Sequence, residues 1–345
     1  MALYLFLCLL SLFVHFVLIV PFINFLYKMR FQRAHQSTKD AFDVPTPIFD
    51  RFHAHKTGTP VGGGILIVLV TTILFLLTLL VLNLLDIRII SNYPEVVAEV
   101  KILLFTFISF SFLGIYDDLT KIFLWEKKLF FGMRMRTKLV FEIILALIIS
   151  WWLFSDLKIS IIHVPFFGVY NLSYVYVIFS TFVIVAFANA VNITDGLDGL
   201  ATGVLMIALM CFWAIARSII DVPSSVFIAL WIGGLIAFLY FNIYPSRIFL
   251  GDAGALSFGS TFAVVGLILG KAFALPIIGG IFFLEILSSF LQLMAKKFFH
   301  KKLFSVSPIH LWFQLHGWEE PKIVMRFWIF AILFAIFGLM IAFMK

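Results

Sequence analysis

Along this chain the apolar positions fall into long unbroken runs instead of alternating with polar ones. The runs lie at about 2–27, 61–85, 100–116, 138–155, 174–192, 199–216, 222–244, 254–270, 273–295 and 322–343. A hydrocarbon core about 30 Å thick needs roughly 20 apolar residues per helix. In lipid only helices and closed barrels satisfy their own backbone groups, and barrel strands would alternate. The pattern therefore predicts an all-α polytopic membrane protein of about ten transmembrane helices, forming one integral membrane domain over 1–345. The shortest run is 254–270, and the break before 273 rests on Lys271 and a nearby proline. There is no internal repeat and no soluble domain, the longest polar stretch being about 28–60. The first run has no basic start and no small-residue cleavage pattern, so it reads as a retained span.

Composition leaves no other class. The chain is 63% hydrophobic and 12% charged, against about 25% charged in soluble domains. Its 44 Phe are scattered through the apolar runs, as a codon or lipid-facing bias would leave them, and do not form a binding box. Cys8 and Cys211 both sit inside such runs, which excludes a disulfide framework and a thiolate metal site. The net charge of +7 is unevenly shared: 19 of the 25 Lys and Arg fall in alternate loops or at their edges. Lys28, Lys56, Lys121, Lys138, Arg247, Lys296 and Lys322 are on that side, Arg88, Lys158 and Lys271 on the other. The basic side is expected to be cytoplasmic, with both termini extracytoplasmic. The charge then serves topology and anionic headgroups, and no nucleic acid is expected as a partner.

The polar chemistry collects in the same loops. Asp117 and Asp118 end the third run in IYDDLTK; the fifth runs into ANAVNITDGLDGLATG, which gives Asn189, Asn192, Asp195 and Asp198. Asn242, Arg247 and Asp252 follow the seventh in FNIYPSRIFLGDAG, and His310 and His316 precede the last in SPIHLWFQLHGWEEP. Singly, each has a plain explanation as a cap, a turn residue or a local pair, as for Glu142 four residues after Lys138. Glu285 has no obvious partner. Jointly, carboxylates at membrane depth on one face point to function. Several Asp oxygens with few His and no Cys suit a hard cation, and Mg²⁺ takes one or two carboxylates plus substrate phosphates. A transporter is the competing class, but its sites lie near the midplane within broken helices.

The ordered motifs GTPVGG, YDD, NITDGLDGLA, FNIYP…FLGDAG and PIH…GWEEP…VMRFW resemble those of the polyprenyl-phosphate N-acetylhexosamine-1-phosphate transferases, from about residue 55 to 330. The NITDGLDGLA and FLGDAG pair is specific to that family; a bare Asp pair is not. The GWEEP…RFW ending resembles the branch whose donor is UDP-N-acetylmuramoyl-pentapeptide.

The resemblance implies a ten-span fold with a cytoplasmic active-site cleft in the inner membrane, Mg²⁺ as cofactor, and undecaprenyl phosphate as acceptor. The products would be UMP and the first lipid-linked peptidoglycan precursor. By motif position it implies Asp252 as metal ligand, Asp117 at the lipid phosphate with Asp118 beside it, and His310 by the diphosphate or sugar. Asn192 and Asp195 fall inside the same motif. Lys138 and Asn242 would hold phosphates, Lys56 would lie near the nucleotide, and Gly196, Leu197, Asp198 and Phe249 would form the uridine pocket. A UDP-N-acetylglucosamine-type donor is the alternative within the family. A homodimer is compatible with the sequence, but no motif specifies one. The chain departs from the family at two places. Three consecutive histidines followed by Phe-Glu become His310-Leu311-Trp312-Phe313-Gln314, and GTPTMGG becomes GTPVGGG with Val61 in place of a hydroxyl. The altered histidine run bears on sugar and peptide recognition.

Overall fold

The computed structural model describes residues 1–32, 56–124 and 135–344, with residues 48, 50 and 52. Long helices dominate because the apolar runs bury and hydrogen-bond their own backbone. In order they are α1 (Ala2–Lys28), α2 (Gly63–Leu84), α3 (Val96–Leu119), α4 (Met135–Ser155), α5 (Val175–Thr194) and α6 (Leu200–Ser218). They continue as α7 (Val222–Asn242), α8 (Gly251–Ile268), α9 (Leu275–Ile278), α10 (Gly280–Phe299), α11 (Ile309–Leu315) and α12 (Glu320–Phe343). A π-helical turn, Thr120–Leu124, extends α3.

Among the described residues nine helices are long and apolar enough to cross a membrane, so this is a multi-pass membrane protein. They match nine of the ten expected runs. The tenth, 273–295, is broken: α9 stops at Ile278 and α10 starts at Gly280. Every stretch of α10 long enough to cross carries Glu285, Lys296 and Lys297, which is why it falls outside the set. A second difference is a small antiparallel hairpin, Ile161–Val164 with Gly168–Asn171, between α4 and α5. It lies in the polar-flanked segment between the fourth and fifth apolar runs.

The axis of the bundle is α8, all 18 residues of which are buried. It packs on α3, α5 and α2, while α7 packs on α1, α2 and α6. Without a hydrophobic force between helices in lipid, close approach needs small residues, and α8 supplies them. A Cβ on Gly64 of α2 would lie 2.1 Å from the Gly254 Cα, and one on Gly114 of α3 would lie 2.2 Å from the Asp252 carbonyl oxygen. The α3–α8 contact therefore sets the two acidic motifs side by side. The segment before α2 is tied to α8 by its backbone: the Phe249 N–H donates to the Pro60 carbonyl at 2.8 Å, and the Gly62 and Gly63 N–H groups donate to the Phe249 carbonyl.

The opposite end of the bundle also holds buried carboxylates, but they close on local partners. Asp221 caps α7 by accepting from the Ser224 N–H at 3.2 Å. Glu99 accepts from the Ser224 hydroxyl at 2.7 Å and from the Ser91 hydroxyl at 2.6 Å.

Candidate active site

The carboxylates of the site end meet cations brought from elsewhere in the chain. Asp117 closes α3 and Asp252 opens α8, so the Gly114 contact holds them within hydrogen-bonding distance of each other. Both are buried. Two like charges that close, with little water, are stable only beside positive charge. Lys138 supplies it from α4: its Nζ lies 2.9 Å from Asp117 Oδ2 and 3.1 Å from Asp252 Oδ2. Lys121, one turn beyond Asp117, lies 3.0 Å from the same Asp117 oxygen and also pairs with Asp252 Oδ2. Asn192, near the end of α5, donates from Nδ2 to the other Asp252 oxygen at 3.0 Å.

A second cluster lies one turn of chain away. Lys56 Nζ is 2.7 Å from Asp198 Oδ1, 2.6 Å from Glu320 Oε1 and 3.3 Å from the Gly196 carbonyl, and it sits over the Phe249 ring at 5.9 Å. The Asp198 backbone N–H donates to the same Glu320 oxygen, and Asp198 Oδ2 accepts from the Ser246 N–H at 3.0 Å. Asp195 links the clusters. Burial pushes its carboxyl well above the usual carboxylate range, reinforced by the negative Asp252, opposed by Lys56, and raised again by Asp118 and Asp198. His310 completes the wall: a Cβ on Gly196 would lie 2.6 Å from its Nε2, so glycine there lets the ring approach the turn.

The residues expected from sequence thus divide. Asp117, Lys138, Asn192 and Asp252 form one group; Lys56, Gly196, Asp198 and Phe249 form the other, with Asp195 and His310 at their junction. Three are engaged differently. Asp118 accepts from the Ala253 N–H at 3.1 Å and so caps the start of α8. Asn242 donates to the Ile248 carbonyl at 3.0 Å and accepts from the Thr202 hydroxyl at 3.1 Å, closing the α7–α8 turn. The Leu197 side chain is buried in the core.

Sequence reasoning did not assign Lys121, Glu142, Glu285 or Glu320 to the site. Lys121 was legible as the i+4 partner of Asp117. Glu142 attracts Lys138, the local partner expected, and accepts a hydrogen bond from Asn189 Nδ2 on α5. Glu285 and Glu320 meet partners 25 and 122 to 264 residues away, which no spacing reveals. At the altered histidine run the replacements diverge: Leu311 is buried, whereas exposed Trp312 stacks on His316 at 4.0 Å. Val61 is buried in the core.

Two buried carboxylates side by side have the oxygen donors that a hard cation sharing its shell with phosphates would need. No group of three or more His, Cys, Asp or Glu stands ready for a metal among the described residues, so softer or all-protein sites are not offered.

Taken together, fold and site define a helical multi-pass membrane protein with a lysine–carboxylate centre at one end of its bundle. The family described as glycosyl transferase family 4 matches residues 100–270. The chain is 39% identical to the phospho-N-acetylmuramoyl-pentapeptide-transferase of Caldanaerobacter subterraneus subsp. tengcongensis over 80% of its length and 82% of the relative's. It is 36% identical to that of Rickettsia canadensis over 83% and 80%, and 35% identical to that of Leptospira biflexa serovar Patoc over 95% and 90%. The chain belongs to glycosyl transferase family 4, within the group of the phospho-N-acetylmuramoyl-pentapeptide-transferases.

Proposed function

We propose that this transferase moves phospho-N-acetylmuramoyl-pentapeptide from its UDP donor to undecaprenyl phosphate, at the cytoplasmic face of the inner membrane, releasing UMP. The names of its relatives support the reaction. The observation that carries it is the convergence of Asp117 and Asp252 on the same two lysines. This orientation is the reading that the excess of Lys and Arg in alternate loops supports, the basic side being taken as cytoplasmic.

A phosphate monoester already has nucleophilic oxygens near neutral pH, so the protein must mainly align two anions and offset their repulsion. Asp117 and Asp252 would hold Mg²⁺, with phosphate oxygens filling the rest of its shell; bound there, the ion stabilises charge on the departing phosphate oxygen. Lys138 and Lys121 are placed to exchange carboxylate partners for phosphate oxygens and to draw the anionic donor inward. Lys56, fixed by Asp198 and Glu320, would meet the nucleotide side of the diphosphate, with the Asp195–Asp198 turn and Phe249 flanking the uridine. Asp118, through the cap on α8, positions Asp252. Asn242 plays the same part for the Phe249 turn. The carboxylates paired with lysines across the bundle gather at one end, whereas Glu99 and Asp221 at the other close on local partners, which disfavours a transport pathway.

The test uses membranes containing the chain, Mg²⁺, undecaprenyl phosphate, and each UDP-sugar in turn. UMP release with the muramoyl-pentapeptide donor alone is expected. Release only with UDP-N-acetylglucosamine would reassign the donor, and release with none would end the transferase reading.

A further inference from the structure

Glu285 is a lone carboxylate in an otherwise apolar stretch of α10, and the mechanism above leaves it unused. It is fully buried, and both of its oxygens face one residue: Oε1 accepts from the His310 backbone N–H at 3.2 Å, and Oε2 lies 3.1 Å from His310 Nδ1. An ionised carboxylate only accepts, so Nδ1 must carry the hydrogen. That leaves Nε2 as the free end of the ring. It is buried, has no hydrogen-bond partner among the described residues, and points at Gly196, where even a Cβ would come within 2.6 Å. A buried ring nitrogen without a partner is costly. This one faces the turn whose Gly196 carbonyl holds Lys56, so it faces the place given above to the donor.

Resting on the transferase reading, we propose that Glu285 is the positioning residue for His310. It fixes the Nδ1–H form and stabilises the imidazolium, so that Nε2–H donates a charge-assisted hydrogen bond to a phosphate oxygen of the bound donor. Such a bond is short and about twice as strong as a neutral one. No proton is transferred; the ring keeps it through turnover. The charged groups on the elements around the ring are Glu285 on α10, Asp195 and Asp198 in the Gly196 turn, Lys56 on the Gly196 carbonyl, and Glu320 at the start of α12. Among them only Glu285 bonds the ring.

The test combines turnover with a direct reading of the ring. Glu285→Gln keeps the shape and removes the charge, so the imidazolium loses its counter-ion. The alkaline limb of the pH–kcat profile should move down by about 1 pH unit or more, and Glu285→Asp should restore much of the shift. A packing role alone would lower turnover at all pH values and leave the limb in place, which would overturn the proposal. In purified full-length protein the ¹⁵N-histidine signal absent from His310→Asn identifies the ring. Its titration midpoint should fall in Glu285→Gln, and its neutral form should carry the proton on Nδ1. An unmoved midpoint, or an Nε2–H form, overturns the proposal without any assay of activity. If the wild type releases no UMP while the midpoint still moves, the transferase reading fails and the Glu285–His310 pairing stands.

Discussion

The site carries its chemistry in a few charges whose surroundings differ sharply. Asp252 shares two lysines with Asp117, and Asp252→Asn would keep the shape while leaving those lysines with one carboxylate. Turnover measured as UMP release is expected to fall by at least about 10²-fold; near-normal turnover would end the metal assignment. Asp195 makes the opposite case, a carboxyl that burial holds protonated to higher pH than in the unfolded chain. Between the ordinary carboxylate range and that raised value the folded form binds more protons, so its stability falls as pH rises through the window. Asp195→Asn should remove this part of the fall. The gain in thermal midpoint over wild type in detergent should be larger at about pH 8 than at about pH 4.5; equal gains at both would refute the burial argument. The same variant should be less active, because a destabilising carboxyl kept in a site is a common trade of stability for function.

At the scale of elements, α8 decides whether these residues meet. Its glycines and serines let α2, α3 and α5 approach to backbone contact, and Gly114 on α3 rests against the Asp252 carbonyl. Gly114→Ala would push that carbonyl away and part Asp117 from Asp252. A loss of about 1–3 kcal/mol is expected from overpacking, read as a lower thermal midpoint, together with a fall in turnover. Full activity at unchanged stability would show that the crossing does not set the site. Helices were the most legible part of this chain, because an unbroken apolar run admits little else in lipid. What escaped was local. Whether α10 counts among the spans depends on where three charges fall in one helix. The 161–171 hairpin is too short, and too apolar throughout, to show a strand period. Among site residues, Asp117, Asp252, Asn192 and Lys138 stood out as polar groups in costly places. Glu285 also stood out and Glu320 did not; both make their contacts across the bundle, where no local spacing points to them.

For the whole molecule, the arrangement commits the site to one side of the bilayer. With Cys8 and Cys211 replaced by serine, single cysteines at Arg247 and Glu319 should react with an impermeant thiol reagent only after the cells are opened. Cysteines at Glu95 and Asn171 should react from outside. All four positions are exposed. Labelling of the first pair from outside would invert the topology and leave the nucleotide donor without access.

Lys56 lies near the start of the chain, and it is held by Glu320, at the head of the last helix; His310 and Glu285 also come from the final quarter. A ribosome releasing this protein therefore delivers Lys56 early, Asp198 later and Glu320 only with the last helix. Until α12 follows, an unfinished chain lacks Glu320, one of the two carboxylates that hold Lys56. The pair of carboxylates around Lys56 is therefore completed only by the last helix.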